Sequence, residues 1–169
     1  MSTLATPSDL LSAAELRQFA AALAGSPQRW RDRVEAAGGG SRCYTERWSD
    51  DFVNAWAIRW SDDADTGFHD HDGAAAAIVV IEGFVVEERL TLVGPPITRR
   101  FGPGQSFHLP ASAIHRVRHG GGGPALTVHA YSPPLRVQGI YRVGADGALE
   151  RETISYMEEL RPELAAASA

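Results

Sequence analysis

From Arg42 onward, short segments rich in β-branched and aromatic residues alternate with clusters of Gly, Pro and Asp. This alternation is typical of strands joined by tight turns. Strands spaced so closely favour a sandwich or barrel, because each strand must bury one face against a second sheet. We therefore predict an all-β architecture with strands at residues 42–48, 52–60, 77–82, 84–92, 97–101, 106–109, 115–119, 125–131, 137–143 and 148–154.

The first 40 residues have a helical pattern instead. Ser12 and Glu15 have the spacing of a capping box, and apolar residues follow at helical intervals. Ser26 followed by Pro27 predicts the start of a second, short helix, because proline is favoured at the first helical position. This helix is expected to end at the glycines of residues 38–40.

The chain has 169 residues, which is enough for one domain with a hydrophobic core. Neither an internal repeat nor a shift in composition divides it. We expect a single domain over residues 1–169, with a helical segment at 1–40 and a β-barrel at 42–155. Residues 156–160 are compatible with a last helical turn.

Charge and composition narrow the range of partners. The formal net charge of -5 and the lack of a basic stripe argue against nucleic acid. No apolar run is long enough for a membrane helix, and the N-terminal residues lack the pattern of a signal peptide. Cys43 is the only cysteine, which fits a reducing compartment. We expect a cytoplasmic monomer or homodimer that acts on a small molecule.

Three histidines have the spacing of a metal site. His69 and His71 are two residues apart, so in an extended strand their side chains point to the same side. His115 follows 44 residues after His71 and can supply a third ligand. A site of three neutral imidazoles without a carboxylate leaves the charge of a divalent ion uncompensated, which suits an anionic ligand. Imidazole binds Fe, Ni, Cu and Zn, so ligand type does not select the metal.

The spacing around these histidines resembles the two motifs of the cupin family. In the first motif, His-x-His is followed by a glutamate and then by a glycine; Ala76 stands at the glutamate position and Gly83 at the glycine position. In the second motif, Gly104, Pro110 and His115 match. Ser112 stands at a position where glycine is usual, and His119 at one where asparagine is usual. The resemblance implies a cupin, jelly-roll-like β-barrel preceded by helices.

Because it lacks the motif glutamate, the chain resembles one branch of cupins, the cysteine dioxygenase family. Further matches are Trp60, nine residues before His69, and the stretches 108–117 and 129–135. The resemblance covers about residues 42–143. It implies a non-haem Fe(II) ion on the three histidines and oxidation of L-cysteine to cysteine sulfinate, with O2 as co-substrate.

Thr127, His129 and Tyr131 correspond to a Ser-His-Tyr set that flanks the iron in this family. They are spaced two residues apart and share one face of a strand. The resemblance implies that Tyr131 directs its hydroxyl at the substrate or oxygen, that His129 holds this hydroxyl, and that Thr127 fixes the His129 tautomer. The alternative for His129 and Tyr131 is an ordinary buried hydrogen-bonded pair.

Ala76 is a further departure from the family. Animal members have a cysteine at this position, and it is cross-linked to the tyrosine. Ala76 cannot form that thioether with Tyr131, although many bacterial members also lack it. The small residues of 73–77 are expected to leave a roomier pocket.

Substrate binding is expected to involve Tyr44, Trp60 and an arginine, because the planar guanidinium matches a carboxylate. Arg47 follows Tyr44 on the first strand, as the anchoring arginine does in the family, but with one residue more between them. A β-bulge would be needed to turn Arg47 inward. Arg59 is the other candidate, although alternation with Trp60 places it on the outer face. We therefore predict that Arg47 holds the carboxylate.

Two other functions are compatible with the sequence. The protein could oxidise another small thiol, or convert cysteine to a different sulfur-oxidised product, with Ni(II) as an alternative to Fe(II). It could also be a non-catalytic cupin that senses a metal or small molecule. The histidines and Tyr131 together favour an enzyme.

Overall fold

The computed structural model describes residues 10–36, 41–146 and 148–155. The first helix, α1, spans Ala13–Ala24. The predicted capping box is confirmed: the Glu15 amide donates to Ser12 Oγ at 3.3 Å, and the Ser12 amide donates to the Glu15 carboxylate at 2.8 Å. These two bonds satisfy amides that have no partner within the helix.

The second helical segment differs from the prediction at its start. Pro27–Arg29 form a 3-10 turn, and helix α2 begins only at Arg31 and spans Arg31–Ala36. The Ser26 side chain makes no capping hydrogen bond. Trp30 separates the two pieces with a non-helical φ of -148°, and only 3% of the residue is exposed. Burial of this indole against the sheet therefore overrides the local preference for a continuous helix.

The rest of the described chain is β-structure, as predicted. Each predicted strand corresponds to an observed one, but the sequence did not predict the two-residue strand β3. The predicted turn at residues 156–160 lies outside the described residues. The strands are β1 (Arg42–Ser49), β2 (Asn54–Trp60), β3 (His69–Asp70), β4 (Ala75–Glu82), β5 (Val85–Arg89), β6 (Ile97–Phe101), β7 (Ser106–Leu109), β8 (His115–His119), β9 (Ala125–Ser132), β10 (Val137–Val143) and β11 (Leu149–Ser155).

The strands form two sheets that face each other. One sheet has the order β1-β2-β9-β4-β7, and the other has the order β11-β10-β3-β8-β5-β6. Neighbouring strands pair antiparallel throughout. A cluster of buried side chains from both sheets, including Trp60, Ile78, Leu109 and Val117, fills the space between them.

The helices cover the outer face of the first sheet. Leu16 and Ala20 of α1 pack against Ala130 of β9, while Trp30 and Val34 pack against a second cluster on the same face. Every residue of β9 is consequently buried, on both of its faces. Neither helix in the described part of the chain is long and apolar enough to cross a membrane.

Candidate metal centre and adjoining cavity

Strands β3 and β8 bring three histidines together between the sheets. His69 lies directly opposite His115 in the strand pairing, and His71 follows β3 by one residue. One ring nitrogen from each histidine lies within 4.8 Å of those of the other two. His71 Nε2 and His115 Nε2 are 3.3 Å apart. The three imidazoles that the sequence singled out thus converge on one point.

This donor set fits a divalent metal ion. The site is buried, and burial lowers the pKa of His71 and His115 well below its ordinary value, so both rings are neutral at pH 7. Neutral imidazole is the form that binds a metal. His69 Nδ1 lies 3.1 Å from the carbonyl oxygen of Gly67 and donates its proton to it. The unprotonated Nε2 therefore directs its lone pair at the other two histidines. No carboxylate belongs to the cluster among the described residues.

A line of hydrogen bonds follows β9 beside the histidines. Trp60 Nε1 donates to Thr127 Oγ1 at 2.8 Å, and Thr127 Oγ1 lies 3.0 Å from His129 Nε2. His129 Nδ1 is 3.2 Å from the Tyr131 hydroxyl. The Tyr131 ring lies 5.0 Å from the ring of His71, centroid to centroid. The line therefore runs from the indole of β2 to the histidine cluster.

A cavity opens beside these groups. Tyr44 and Trp60, both expected to contact substrate, line it. The full set of lining residues is Arg42, Tyr44, Ile58, Trp60, Thr66, His69, His115, Val117, His129, Tyr131 and Gln138. A concave pocket lined by both polar and apolar side chains is typical of a small-molecule site.

The expected position of Arg47 is wrong. Strands β1 and β2 do contain an irregularity between Glu46 and Trp48, but the residue that it inserts faces outward. The Arg47 guanidinium lies 5.8 Å from the centre of the Trp30 ring, beneath helix α2, and Arg47 does not line the cavity. Arg59 also lies on the outer face, beside α2, as alternation indicated.

Arg42 is the arginine that lines the cavity, and the sequence analysis missed it. It lies opposite Trp60 in the strand pairing, and Tyr44 lies opposite Ile58, so both face inward. The Arg42 guanidinium is 5.7 Å from the centre of the Tyr44 ring. Counting by twos from Tyr44 toward the start of β1 would have found it. Gln138, which is 2% exposed, was missed because β10 carries no motif.

Ala76 lies directly opposite Tyr131 on the neighbouring strand β4. The residue that stands at the glutamate position of the first motif is thus adjacent to Tyr131. The methyl group cannot form a thioether, so the Tyr131 ring is held by packing and by its contacts with His129 and His71.

Comparison with known proteins supports the fold. No protein-family model matches the chain, and no curated protein matches it in sequence. TT1209 from Thermus thermophilus superposes with a TM-score of 0.53 at 19% identity, over 62% of this chain and 94% of that one. The cupin domain of Cnp3 from Schizosaccharomyces pombe gives 0.51 at 8% identity, over 59% and 66%. The chain has the cupin fold.

A recombinant oxalate oxidase in complex with glycolate is a further cupin-fold neighbour. Its TM-score is 0.50 at 17% identity, over 55% of this chain and 51% of that one. At such identities the likeness concerns the fold alone. The function of this cupin must therefore be argued from its own cavity and histidine cluster.

The buried His129 predicts a pH dependence of stability. Burial, with smaller contributions from His69 and Arg42, lowers the pKa of His129 to about 3. The unfolded chain binds this proton near pH 6.5, so the contribution is complete above pH 6.5 and is lost as the pH falls toward 3. We expect the free energy of unfolding of the metal-free protein to decrease over this range, with a His129 share on the order of a few kcal/mol.

Urea unfolding at a series of pH values checks this expectation. His129→Gln keeps hydrogen-bonding groups but does not titrate, so its stability should fall less steeply than that of the wild type. The other histidines are present in both proteins, so the difference between the two profiles reports the removal of His129 together with its effect on neighbouring histidines. Parallel pH profiles for the two proteins would contradict the assignment.

Proposed function

We propose that this cupin is a thiol dioxygenase that oxidises L-cysteine to cysteine sulfinate, with Fe(II) on His69, His71 and His115. The observation that carries the proposal is the combination of a carboxylate-free histidine cluster with the Thr127-His129-Tyr131 line beside it. The reaction balances without a further reductant, because both oxygen atoms of O2 are transferred to the substrate sulfur. When bound, the iron supplies the redox chemistry of that transfer.

The charge of the site favours a thiolate substrate. The cluster contributes no negative charge, so a divalent ion held by it would attract an anionic sulfur and would lower the pKa of the thiol. Binding of the thiol and O2 in one cavity would replace a bimolecular encounter by an intramolecular one.

Tyr131 is proposed to place a hydroxyl proton toward the reacting atoms. Thr127 Oγ1 accepts a hydrogen bond from Trp60, and this oxygen is 3.0 Å from His129 Nε2 and 3.5 Å from Ile58 O, so the proposal has Thr127 donate to the nearer acceptor, Nε2. Donation to Nε2 leaves the His129 proton on Nδ1, which then donates to the Tyr131 oxygen. The Tyr131 proton is consequently directed away from His129 and can be donated to another acceptor.

Arg42 is proposed to bind the substrate carboxylate, in place of Arg47. Its charge contributes to the lowered pKa of His129, as expected for a cation that faces the same cavity. A guanidinium in a partly buried cavity forms strong bidentate hydrogen bonds with a carboxylate.

The alternative is an oxygenase for another small thiol, or for cysteine with a different product or with Ni(II). The observation that favours carboxylate-bearing alternatives such as 3-mercaptopropionate is the same inward-facing Arg42. An amine-only thiol such as cysteamine would present no carboxylate to this cation.

Oxygen uptake with a panel of thiols tests the proposal. We expect Fe(II)-loaded protein to consume O2 with L-cysteine and to form cysteine sulfinate, one O2 for each cysteine. L-Cysteine, 3-mercaptopropionate and cysteamine are compared on the iron and nickel forms, with products identified by mass spectrometry. A preference for 3-mercaptopropionate would support the alternative substrate instead.

Tyr131→Phe provides the internal control. It should retain the metal and lose turnover by about a hundredfold, the usual scale for a positioned proton donor. If neither metal form of the wild-type protein oxidises any of the thiols, the dioxygenase proposal fails and a sensor function is favoured.

A further inference from the structure

The segment that carries His69 and His71 has little backbone pairing. Strand β3 is two residues long, pairs with β10 at two positions, and pairs with β8 only at His69. His71 lies beyond its end, and the next residue, Asp72, has a left-handed φ of 48°. Short pairing of this kind does not by itself fix side chains within the tolerance that a metal centre requires.

Asp70, between the two histidines, faces away from the cavity and accepts an unusual number of hydrogen bonds. Its carboxylate accepts from Tyr141 Oη at 2.6 Å and from Arg151 Nε and Nη2 at 2.7 and 2.9 Å. The amides of Asp72 and Gly139 add contacts at 2.9 and 3.2 Å. The carboxylate side chain is 13% exposed. Groups of β10, of β11 and of the segment after β3 therefore meet at Asp70, the residue between His69 and His71.

Arg151 reaches Asp70 from a strand that is not its neighbour. Arg151 is on β11, and β10 lies between it and β3. The guanidinium passes over Gly139 of β10, where an added Cβ would come within 2.2 Å of Arg151 Nε. A second bond joins Arg151 Nη2 to the Asp72 carboxylate at 3.0 Å. The glycine thus provides the space through which β11 is tied to the histidine segment.

We propose that Arg151 is a positioning residue of the metal centre: it holds Asp70 and Asp72 and thereby fixes His69 and His71 in the geometry that binds the ion. The inference rests on the metal centre of the proposed function, but it does not depend on the substrate. It also gives Gly139 a specific role, since any side chain there displaces the guanidinium.

Metal affinity of the Arg151→Met protein tests the inference, with Co(II) as the probe in competition with a chelator. Partners outside the ligand set typically change affinity about 10- to 100-fold, and we expect a loss of this size with faster Co(II) release. The melting temperature of the metal-free protein should fall only slightly, because Asp70 keeps its hydrogen bonds to Tyr141 and to the amides of Asp72 and Gly139. Arg142→Met is the matched control: Arg142 is on β10, is 71% exposed and pairs with Glu152 at 3.6 Å. It should bind Co(II) like the wild type.

Gly139→Ala is a second, independent variant. It keeps the charge of Arg151 but pushes the flexible end of that side chain away from Asp70. It should weaken Co(II) binding in the same direction as Arg151→Met. Affinities of both variants equal to that of Arg142→Met would overturn the inference, as would a loss of affinity matched by a large drop in metal-free stability.

Thiol oxidation by the wild type, measured on the same preparations, separates this inference from the proposed function. If the wild type binds Co(II) but oxidises no thiol when it is loaded with iron, the dioxygenase proposal is rejected. The affinities of the variants then decide the role of Arg151 by themselves. Unchanged affinity in both variants rejects the role of Arg151 alone. A wild type that binds no Co(II) rejects both.

Discussion

In the His115→Ala protein, we expect most of the bound metal to be lost and thiol oxidation to be abolished, while the fold survives. His115 would supply one of the three imidazoles that converge in the described part of the chain, so its removal leaves two, from a two-residue strand and the position after it. The two sheets have their own apolar core, which does not depend on the ion. Metal content by elemental analysis and near-UV circular dichroism of the same sample measure the two effects separately.

Two further variants control for lost volume and for general loss of a histidine. His115→Gln fills more of the space of the imidazole, which is 1% exposed, and should also lose metal. His108→Ala removes a half-buried histidine of β7 that lies outside the cluster, and this variant should keep its metal. Full metal occupancy in His115→Ala would remove this residue from the ligand set.

Replacement of Arg42 should change substrate choice rather than metal binding. In Arg42→Met, the carboxylate of L-cysteine loses a charged partner, a contact worth about 1.5–3 kcal/mol, so kcat/KM should fall about 10- to 100-fold, mostly through KM. Cysteamine has no carboxylate, and its kinetics should change little. Steady-state oxygen uptake with both thiols gives the ratio directly.

Arg47→Met is the matched control on the same strand. Its guanidinium packs over Trp30 on the outer face, so its replacement should affect both thiols alike and only slightly. If Arg42→Met impairs cysteine and cysteamine equally, or if Arg47→Met alone discriminates between them, the carboxylate is bound elsewhere.

The strand pattern and the histidine cluster could both be predicted, because each depends on local spacing. Alternation identifies a strand without reference to its partner, and the His69-x-His71 pair fixes two ligands on one side of whatever strand it occupies. The face shared by Thr127, His129 and Tyr131 follows from the same rule. Their hydrogen bonds to one another depend on side-chain rotamers, and only the structure gives those.

The errors arose where a distant partner decides the local geometry. Arg47 faces outward because the pairing of β1 with β2 places the inserted residue on the outer side, and no short stretch of sequence specifies that register. Strand β3 was not predicted, because two residues are too few to show an alternation of apolar and polar side chains. The helix expected from Ser26 is interrupted because Trp30 is buried against the outer face of the sheet.

Strand β9 ties the helical cover to the chemistry of the cavity. Its inward residues form the line from Thr127 to Tyr131, and its outward residue Ala130 packs beneath Leu16 and Ala20 of α1. A change of side-chain volume under α1 would therefore shift β9, which alone separates the helix from the cavity. It would slow turnover, although the altered side chain does not contact the substrate. In a search for activity-modulating substitutions, the underside of that helix is as relevant as the wall of the cavity.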